Sequence, residues 1–374
     1  MLINMWYVAE EEANIKEDPV KVKILGQDLV VFRDGEGRVV CLSDICPHKG
    51  ASLSGGVVRD GHVACPYHGW QFGHTGACLK IPAAGEDAKI PNRARVDSYP
   101  VEIRYGWVWV FLGDLPEEER PPIPEFPEYE FIGSDWGMVR GTWEWNANYE
   151  RVLENGLDFG HAPYVHPAFG DPDEGEINHI DLEPHEWGAR ARHLYKPPRP
   201  KGLWASLRNK KAAASKGVEA SPGYHVSGSM LRLEVNITAS WKMIIFDVNI
   251  PVDENTTKTY FIAIRNFFKS AMWDFDARKR TYSIFEQDQV VVEKIRPEMV
   301  PEKLAEEMSV QCDVLMMDAR KKFKALKKKG WEIDLETYYK EFKGKRACVI
   351  PSPARRENPK GWIIPTIPLL EASE

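Results

Sequence analysis

Two pairs of residues able to hold a soft metal stand close together early in the chain: Cys46-Pro47-His48, then sixteen residues, then Cys65-Pro66-Tyr67-His68. Two thiolates and two imidazoles suit either zinc or an iron–sulfur cluster with mixed ligands. Zinc fingers usually pair Cys with Cys in one knuckle and His with His in the other, whereas here each knuckle carries one of each. That arrangement fits a [2Fe–2S] centre in which both thiolates hold one iron and both imidazoles hold the other. Neutral imidazole in place of anionic thiolate stabilises the reduced cluster and raises its potential. His62, His74, Trp70, Trp107 and Trp109 lack such spacing and read as turn, surface or core residues.

A second set lies further on, in Glu154-Asn155-Gly156-Leu157-Asp158-Phe159-Gly160-His161-Ala162-Pro163-Tyr164-Val165-His166. Asp158 stands three residues before one histidine, and the other follows five later. Asn146 is a plausible N-cap for a helix over about Ala147–Phe159. Pro163 interrupts it, so His161 is expected to end the helix and His166 to return from the next loop. Asn148, Asn155 and Asp158 fall on one helical stripe among Val152 and Leu157, which is costly unless they have polar partners. Supporting the ligands of a metal is a natural role for them. The plain alternative is a capped helix with incidental histidines.

Two imidazoles and one carboxylate on one face of an iron leave the opposite face open for O₂. The carboxylate must come from elsewhere. Phe285-Glu286-Gln287-Asp288-Gln289-Val290-Val291-Val292-Glu293 lies in a helix beginning near Trp273, and by residue type Glu286, Asp288 and Glu293 are all candidates. Each also reads as an ordinary solvated helix acid.

The elements that must position these residues differ between the two parts of the chain. In the first third, Val20–Leu25, Asp28–Arg33 and Arg38–Leu42 are short β-rich runs, and Arg59-Asp60-Gly61-His62 signals a hairpin. Tyr105–Leu112 is apolar on both faces and reads as a strand buried on both sides. Residues 1–115 are therefore expected to form an all-β domain. Five prolines between Leu115 and Tyr129 resist helix and central strand, so 116–129 reads as a linker. Residues 130–374 read as an α+β domain. Its expected strands are Ile180–Leu182, Ala189–Leu194, Met230–Ile237, Trp241–Ile250 and Lys258–Phe268, and its long helices Trp273–Ile295 and Pro301–Lys329. Residues 196–228 read either as a lid over a pocket or as a disordered insertion, and the stretch after Gly330 as a surface wrap.

With 374 residues, 43 % hydrophobic and 28 % charged, the composition is that of a globular protein. A net charge of −7 argues against a nucleic-acid partner. The one basic cluster, Lys321–Lys329, reads as a solvated helix end, with docking of an acidic redox protein as a minority alternative. No apolar run approaches the ~20 residues of a membrane helix. The opening Met1–Tyr7 has no basic leader or cleavage site. Cys41, Cys78, Cys312 and Cys348 read as reduced bystanders, and the expected location is cytoplasmic.

Cys46-Pro-His-Lys-Gly50 and Cys65-Pro-Tyr-His-Gly-Trp70 closely resemble the Rieske motif, and the chain from Trp6 to the end of the Trp273 helix resembles the oxygenase subunits of the Rieske non-haem iron oxygenases. The likeness is best to mono-oxygenases typified by dicamba and vanillate O-demethylases. It implies that Cys46, His48, Cys65 and His68 hold the [2Fe–2S] cluster, and that His161, His166 and Asp288 hold a catalytic mononuclear Fe(II). It also implies that Asp158 hydrogen-bonds an iron-ligand imidazole such as His161 and faces His68 of the partner subunit as an electron bridge. The implied fold is an N-terminal Rieske domain followed by a helix-grip domain with an antiparallel sheet, assembled as a head-to-tail homotrimer. The expected partners are a ferredoxin or flavin-dependent reductase, O₂ and a small to medium organic substrate that is hydroxylated or oxidatively demethylated. Aromatic cis-dihydroxylation by the same metals is a competing reading, and product analysis separates the two. An electron-transfer protein without oxygenase activity is another, against which His161 and His166 argue.

Overall fold

The computed structural model describes residues 1–166, 172–177, 180–195 and 217–373. It divides into two compact units, Met1–Ile123 with Ala325–Glu374, and Pro124–Lys324.

Short strands build the first unit: β1 (Met5–Glu11), β2 (Val20–Ile24), β3 (Gln27–Arg33), β4 (Val39–Ser43), β5 (Val57–Arg59), β6 (His62–Ala64), β7 (Gln71–Phe72), β8 (Cys78–Lys80), β9 (Ser98–Tyr99), β10 (Val101–Arg104) and β11 (Trp107–Leu112). They form antiparallel sheets in the orders β1-β11-β10, β2-β3-β4-β9 and β5-β6-β7-β8. The expected hairpin joins β5 to β6, with Arg59 opposite His62 and both Asp60 and Gly61 at positive φ. Such a turn matches the right-handed twist of its strands. Every residue of β11 is buried, as its two-faced apolar pattern predicts.

The C-terminal segment departs from the expected domain division. Residues from Ala325 onward belong to the first unit, not to a domain running from 130 to 374. Ile3 N–H donates to Trp331 O at 2.8 Å, and Ile333 N–H to Met1 O at 3.0 Å. Buried Asp97 accepts from Ser352 N–H, Ser352 Oγ and the Arg355 guanidinium. Few residues here have strand or helix period, so pairing with distant partners, which composition does not reveal, sets the segment's place.

The second unit centres on one antiparallel sheet of β12 (Gly137–Trp145), β13 (Asp181–His185), β14 (Gly188–Tyr195), β15 (Val218–His225), β16 (Met230–Asn236), β17 (Lys242–Pro251) and β18 (Thr257–Arg265). Their order is β12-β18-β17-β16-β15-β14-β13. Its helices are α1 (Tyr149–Leu157), α2 (Ala162–Val165) and α3 (Asp274–Val292), while α4 (Val314–Leu326) spans the boundary between the units. The core between sheet and α3 is aromatic: Phe285 lies 5.1 Å from Phe261, 5.9 Å from Trp145 and 6.2 Å from Trp143, centroid to centroid. Each such ring stabilises the fold by roughly 1.5–3 kcal/mol on burial. A long helix gripped against an antiparallel sheet is the architecture that the resemblance implies.

Two helices differ from expectation. Asn148, not Asn146, is the N-cap of α1, its side chain accepting from Glu150 N–H at 3.0 Å. The stretch expected as one helix over Pro301–Lys329 is α-helical only over Val314–Leu326. Within 196–228, residues 196–216 lie outside the described residues, but Val218–His225 is an interior strand and neither lid nor insertion. Pro222 hides it from pattern reading, since proline is disfavoured in interior strands; the β14–β15 register skips that position. Among the described residues no helix is long and apolar enough to cross a membrane.

Candidate metal centres

The two Cys/His segments fold into matching loops. Cys46 N–H donates to Ala51 O (2.9 Å) and Gly50 N–H to Cys46 O (2.9 Å); Cys65 N–H donates to Trp70 O (2.8 Å) and Gly69 N–H to Cys65 O (2.9 Å). Each loop needs a glycine at its fourth position beyond the cysteine, because Gly50 and Gly69 take φ of +74° and +71°. Asp44 braces the first loop by accepting from Ser54 N–H and from the hydroxyls of Ser52 and Ser54.

The four side chains sort by element type. Both thiols are buried, and the Cys46 thiol is pushed up to about 12 by burial, with Cys65 adding to the rise. The imidazoles of His48 and His68 sit 4.4 Å apart, centroid to centroid, and His68 is exposed. Buried His48 Nδ1 has no hydrogen-bond partner. His48 is held flat against Trp70, at 4.7 Å and 5°, so Trp70 positions a candidate ligand as well as packing. An inner thiol pair, an outer imidazole pair and an unpartnered ring nitrogen fit a [2Fe–2S] cluster with both thiolates on one iron.

In the second unit, α1 ends at Leu157 with Asp158 as its C-cap. Pro163 does not merely stop a helix, because it starts α2 within the first turn, where its missing N–H costs nothing. His161 and His166 therefore flank a single helical turn. Asp288, buried on α3, completes the group: one ligand atom from each of His161, His166 and Asp288 lies within 4.8 Å of the others. The Nε2 atoms of His161 and His166 stand 3.6 and 3.1 Å from Asp288 Oδ1. That oxygen is buried and receives no well-directed hydrogen bond. Glu286 and Glu293 are not in the group; the Glu293 carboxylate instead accepts from Asn146 and Gln289.

Each Nδ1 is engaged elsewhere. His161 Nδ1 meets the main-chain carbonyl of Asp158 at 2.7 Å, and His166 Nδ1 meets Gln287 Oε1 at 2.8 Å. Both partners are acceptors, so both rings carry their proton on Nδ1 and turn an Nε2 lone pair toward Asp288. Gln287 Nε2 in turn donates to Ser283 Oγ at 3.3 Å, which ties the amide to the preceding turn of α3. Burial disfavours the His166 cation, yet Asp288 and Gln287 raise its pKa above the ordinary value. A divalent cation would take the place of that proton between two imidazole lone pairs and a carboxylate oxygen, which fits a two-histidine, one-carboxylate iron site.

The Asp158 carboxylate does not hold the imidazole as expected from the resemblance. Its Oδ2 is 3.8 Å from His161 Nδ1, and its Oδ1 accepts from Gly160 N–H at 2.6 Å. Burial raises its pKa, against the pull of His161 and the Gly160 N–H. Asn148 caps α1 and donates to Glu254 O, so it does not support the metal. Asn155 lines the cavity beside the three ligand candidates. Two supports escaped the sequence reading, Gln287 and the buried ring of Arg151, Glu154, Arg320 and Glu307 that anchors α1. The adjacency of Gln287 to Asp288 was the one available signal. The cavity beyond the ligands is otherwise largely apolar, with Val152, Leu231, Leu233, Ile245 and Phe285 in its wall.

Comparison with known proteins places both sites in context. Residues 5–100 match the Rieske [2Fe-2S] domain family and residues 145–329 the vanillate O-demethylase oxygenase C-terminal domain family. Methylxanthine N1-demethylase NdmA of Pseudomonas putida is 30 % identical over 318 residues, covering 83 % of this chain and 83 % of the relative. The oxygenase component of dicamba O-demethylase from Stenotrophomonas maltophilia is 37 % identical over 175 residues, 46 % of this chain and 49 % of the relative. The structure of Pseudomonas putida CBB5 NdmA with caffeine superposes with a TM-score of 0.71 at 29 % identity, covering 84 % of this chain and 88 % of that one.

Proposed function

As this chain belongs to the Rieske non-haem iron oxygenases with a vanillate O-demethylase-type catalytic domain, we propose that it mono-oxygenates a small to medium, largely apolar organic substrate, by oxidative demethylation or hydroxylation. It is the oxygenase component of a multicomponent system and carries a Rieske [2Fe–2S] cluster and a mononuclear iron. In our reading Cys46, His48, Cys65 and His68 hold the cluster, and His161, His166 and Asp288 hold the iron. The reductase or ferredoxin, a homotrimeric assembly and a cytoplasmic location belong to the same reading. The observation that carries it is the convergence of His161, His166 and Asp288 on one point in the wall of a largely apolar cavity.

Removing a methyl group as formaldehyde consumes one O₂, two electrons and two protons, and yields water with the demethylated product. Held by Cys46, His48, Cys65 and His68, a cluster would supply those electrons singly, and an iron held by His161, His166 and Asp288 would supply the site of O₂ activation. The chain's own residues fix the geometry. Asp158 O and Gln287 Oε1 hold the Nδ1 protons, so neither imidazole can turn its lone pair away. The cavity wall excludes water from the reacting carbon, which limits unproductive release of reduced oxygen. Half-buried Asp158, beside His161, is assigned as the bridge toward the partner subunit's His68.

Turnover of a panel of O-methyl and N-methyl aromatic compounds with a broad-specificity reductase, scored by product mass and formaldehyde, tests the function. Loss of methyl or gain of one oxygen atom is the expected result. Reduction of the cluster with no O₂-dependent product from any compound would overturn the proposal.

A further inference from the structure

Across the sheet floor of the iron cavity runs a polar row that the metal does not use. Trp145 on β12 donates from Nε1 to Thr259 Oγ1 on β18 at 2.8 Å, and Thr259 Oγ1 donates to Asn249 Oδ1 on β17 at 2.6 Å. Asn249 Nδ2 donates to Asp247 Oδ1 at 3.0 Å and to Ser229 O at 3.1 Å. The direction of this row is fixed at Asn249, because the Ser229 carbonyl oxygen can only accept and so marks which end of the amide is the nitrogen. Asn249 Oδ1 then faces Thr259, which must donate its single proton there, and the amide N–H is turned toward Asp247. The amide nitrogen of Asn249 is thus shared between the Ser229 carbonyl and the Asp247 carboxyl group.

That carboxyl ends the row with an acceptor already filled and one oxygen to spare. Asp247 is 3 % exposed, lines the cavity, and its Oδ2 makes no hydrogen bond among the described residues. It stands opposite Leu231 on one neighbouring strand and Phe261 on the other. No lysine or arginine is among the described residues that line the cavity, and its imidazoles are His161 and His166, the proposed ligands. The acids Asp158 and Asp288 share the same space. An ionised carboxylate there would be a buried charge with one amide N–H and no cationic side chain beside it, a state that proteins avoid by keeping the group neutral.

We propose that Asp247 is the substrate-orienting residue of this cavity, presenting Oδ2–H as a hydrogen-bond donor to a carbonyl or ether oxygen on an otherwise apolar substrate. Burial pushes this carboxyl up to about 8 despite the Asn249 N–H, with Asp288 adding to the rise, in keeping with a neutral acid. The substrate class is thereby narrowed to molecules with one acceptor oxygen set apart from the carbon that reacts. A fixed donor on the sheet and an apolar wall elsewhere would hold one carbon, not its neighbours, toward His161, His166 and Asp288.

This inference rests on reading the cavity as the substrate site of an oxygenase, and binding without turnover separates its failure from that of the oxygenase reading. Anaerobic equilibrium dialysis of the holoenzyme would compare three probes that share a methoxyphenyl group: 4-methoxyacetophenone, its apolar isostere 4-isopropenylanisole, and the cationic 4-methoxy-N,N-dimethylbenzylamine. The ketone should bind about five- to tenfold more tightly than the isostere, the worth of one hydrogen bond. Asp247→Asn keeps an N–H donor and should retain that preference within about threefold, whereas Asp247→Leu should erase it. Equal binding of ketone and isostere by the wild type, no binding of the ketone, or preference for the amine with its loss in Asp247→Asn would each overturn the proposal. Should Asp247→Leu not fold, the wild-type comparison and Asp247→Asn still decide.

Discussion

The imidazole Nδ1 of His161 lies 2.7 Å from the main-chain carbonyl oxygen of Asp158, while the Asp158 carboxylate stays 3.8 Å away. Orientation of this proposed ligand is thus a property of the backbone at the end of α1, and the side chain of Asp158 is left for another task.

It follows that Asp158→Asn should keep the mononuclear iron, since the carbonyl that fixes His161 is unchanged. Steady-state turnover should nevertheless collapse, because the negative charge of the proposed bridge is gone. Iron analysis beside turnover with reductase reads both effects. Loss of the iron would show that the carboxylate positions His161 after all, and near-normal turnover would remove the bridging role.

Gln287 does for His166 what that carbonyl does for His161, but through a side chain that can be changed. Gln287→Leu should weaken iron retention by roughly 10- to 100-fold, the usual effect of removing the partner of a ligating histidine. The visible spectrum of the cluster should not change. Competition of the holoenzyme with a graded iron chelator measures the first, and absorbance the second.

Most of what makes chemistry was written locally in the sequence, and most of what supports it was not. Cys46/His48 and Cys65/His68 stand in short segments whose turns are closed by Gly50 and Gly69, so spacing alone exposes them. His161 and His166 were legible for the same reason. Asp288 was one of three acids by residue type; the resemblance singled it out, and folding brings it to the histidines. Gln287, Arg320 and the row ending at Asp247 act across more than one element, through bonds that leave no local period. Strand β15 was hidden by its own Pro222 and Gly223. The return of Ala325–Glu374 to the first unit depends on pairings with Met1, Ile3 and Asp97, hundreds of residues earlier.

The charged ring around α1 should be costly to break. Glu154, 8 % exposed, accepts from Arg320 and Arg151, and Glu307 closes the ring on both arginines. Glu154→Ala would leave two buried guanidiniums underpaired and should destabilise the fold by about 3–5 kcal/mol, because the desolvated charges lose their partner. Denaturant unfolding followed by circular dichroism checks the size of the loss. A change below about 1 kcal/mol would show that the ring contributes little to holding α1.

Glu234 supplies a pH test. Although burial works against its charge, Lys242, Arg232 and Arg190 lower its pKa to about 2 from an ordinary 4.5. A depressed folded-state value means that the stabilisation is complete above the unfolded value and is lost as pH falls through the folded one. Glu234→Gln should therefore be less stable than the wild type near neutrality by roughly 1–3 kcal/mol, partial exposure of its partners reducing the upper figure. The difference should shrink as pH falls from about 4.5 to about 2. A gap that stays constant over that range would mean that the carboxylate's charge is not what stabilises.

In the proposed function two independent ligand sets hold two kinds of iron centre, and metal analysis of one substitution separates them. The wild type should contain about three irons and two acid-labile sulfides per chain, and Asp288→Ala about two irons and two sulfides, with an unchanged cluster spectrum and no oxygenation. Zinc in place of the cluster iron, or an Asp288→Ala protein that keeps all its iron and its activity, would show that these residues do not hold the two centres.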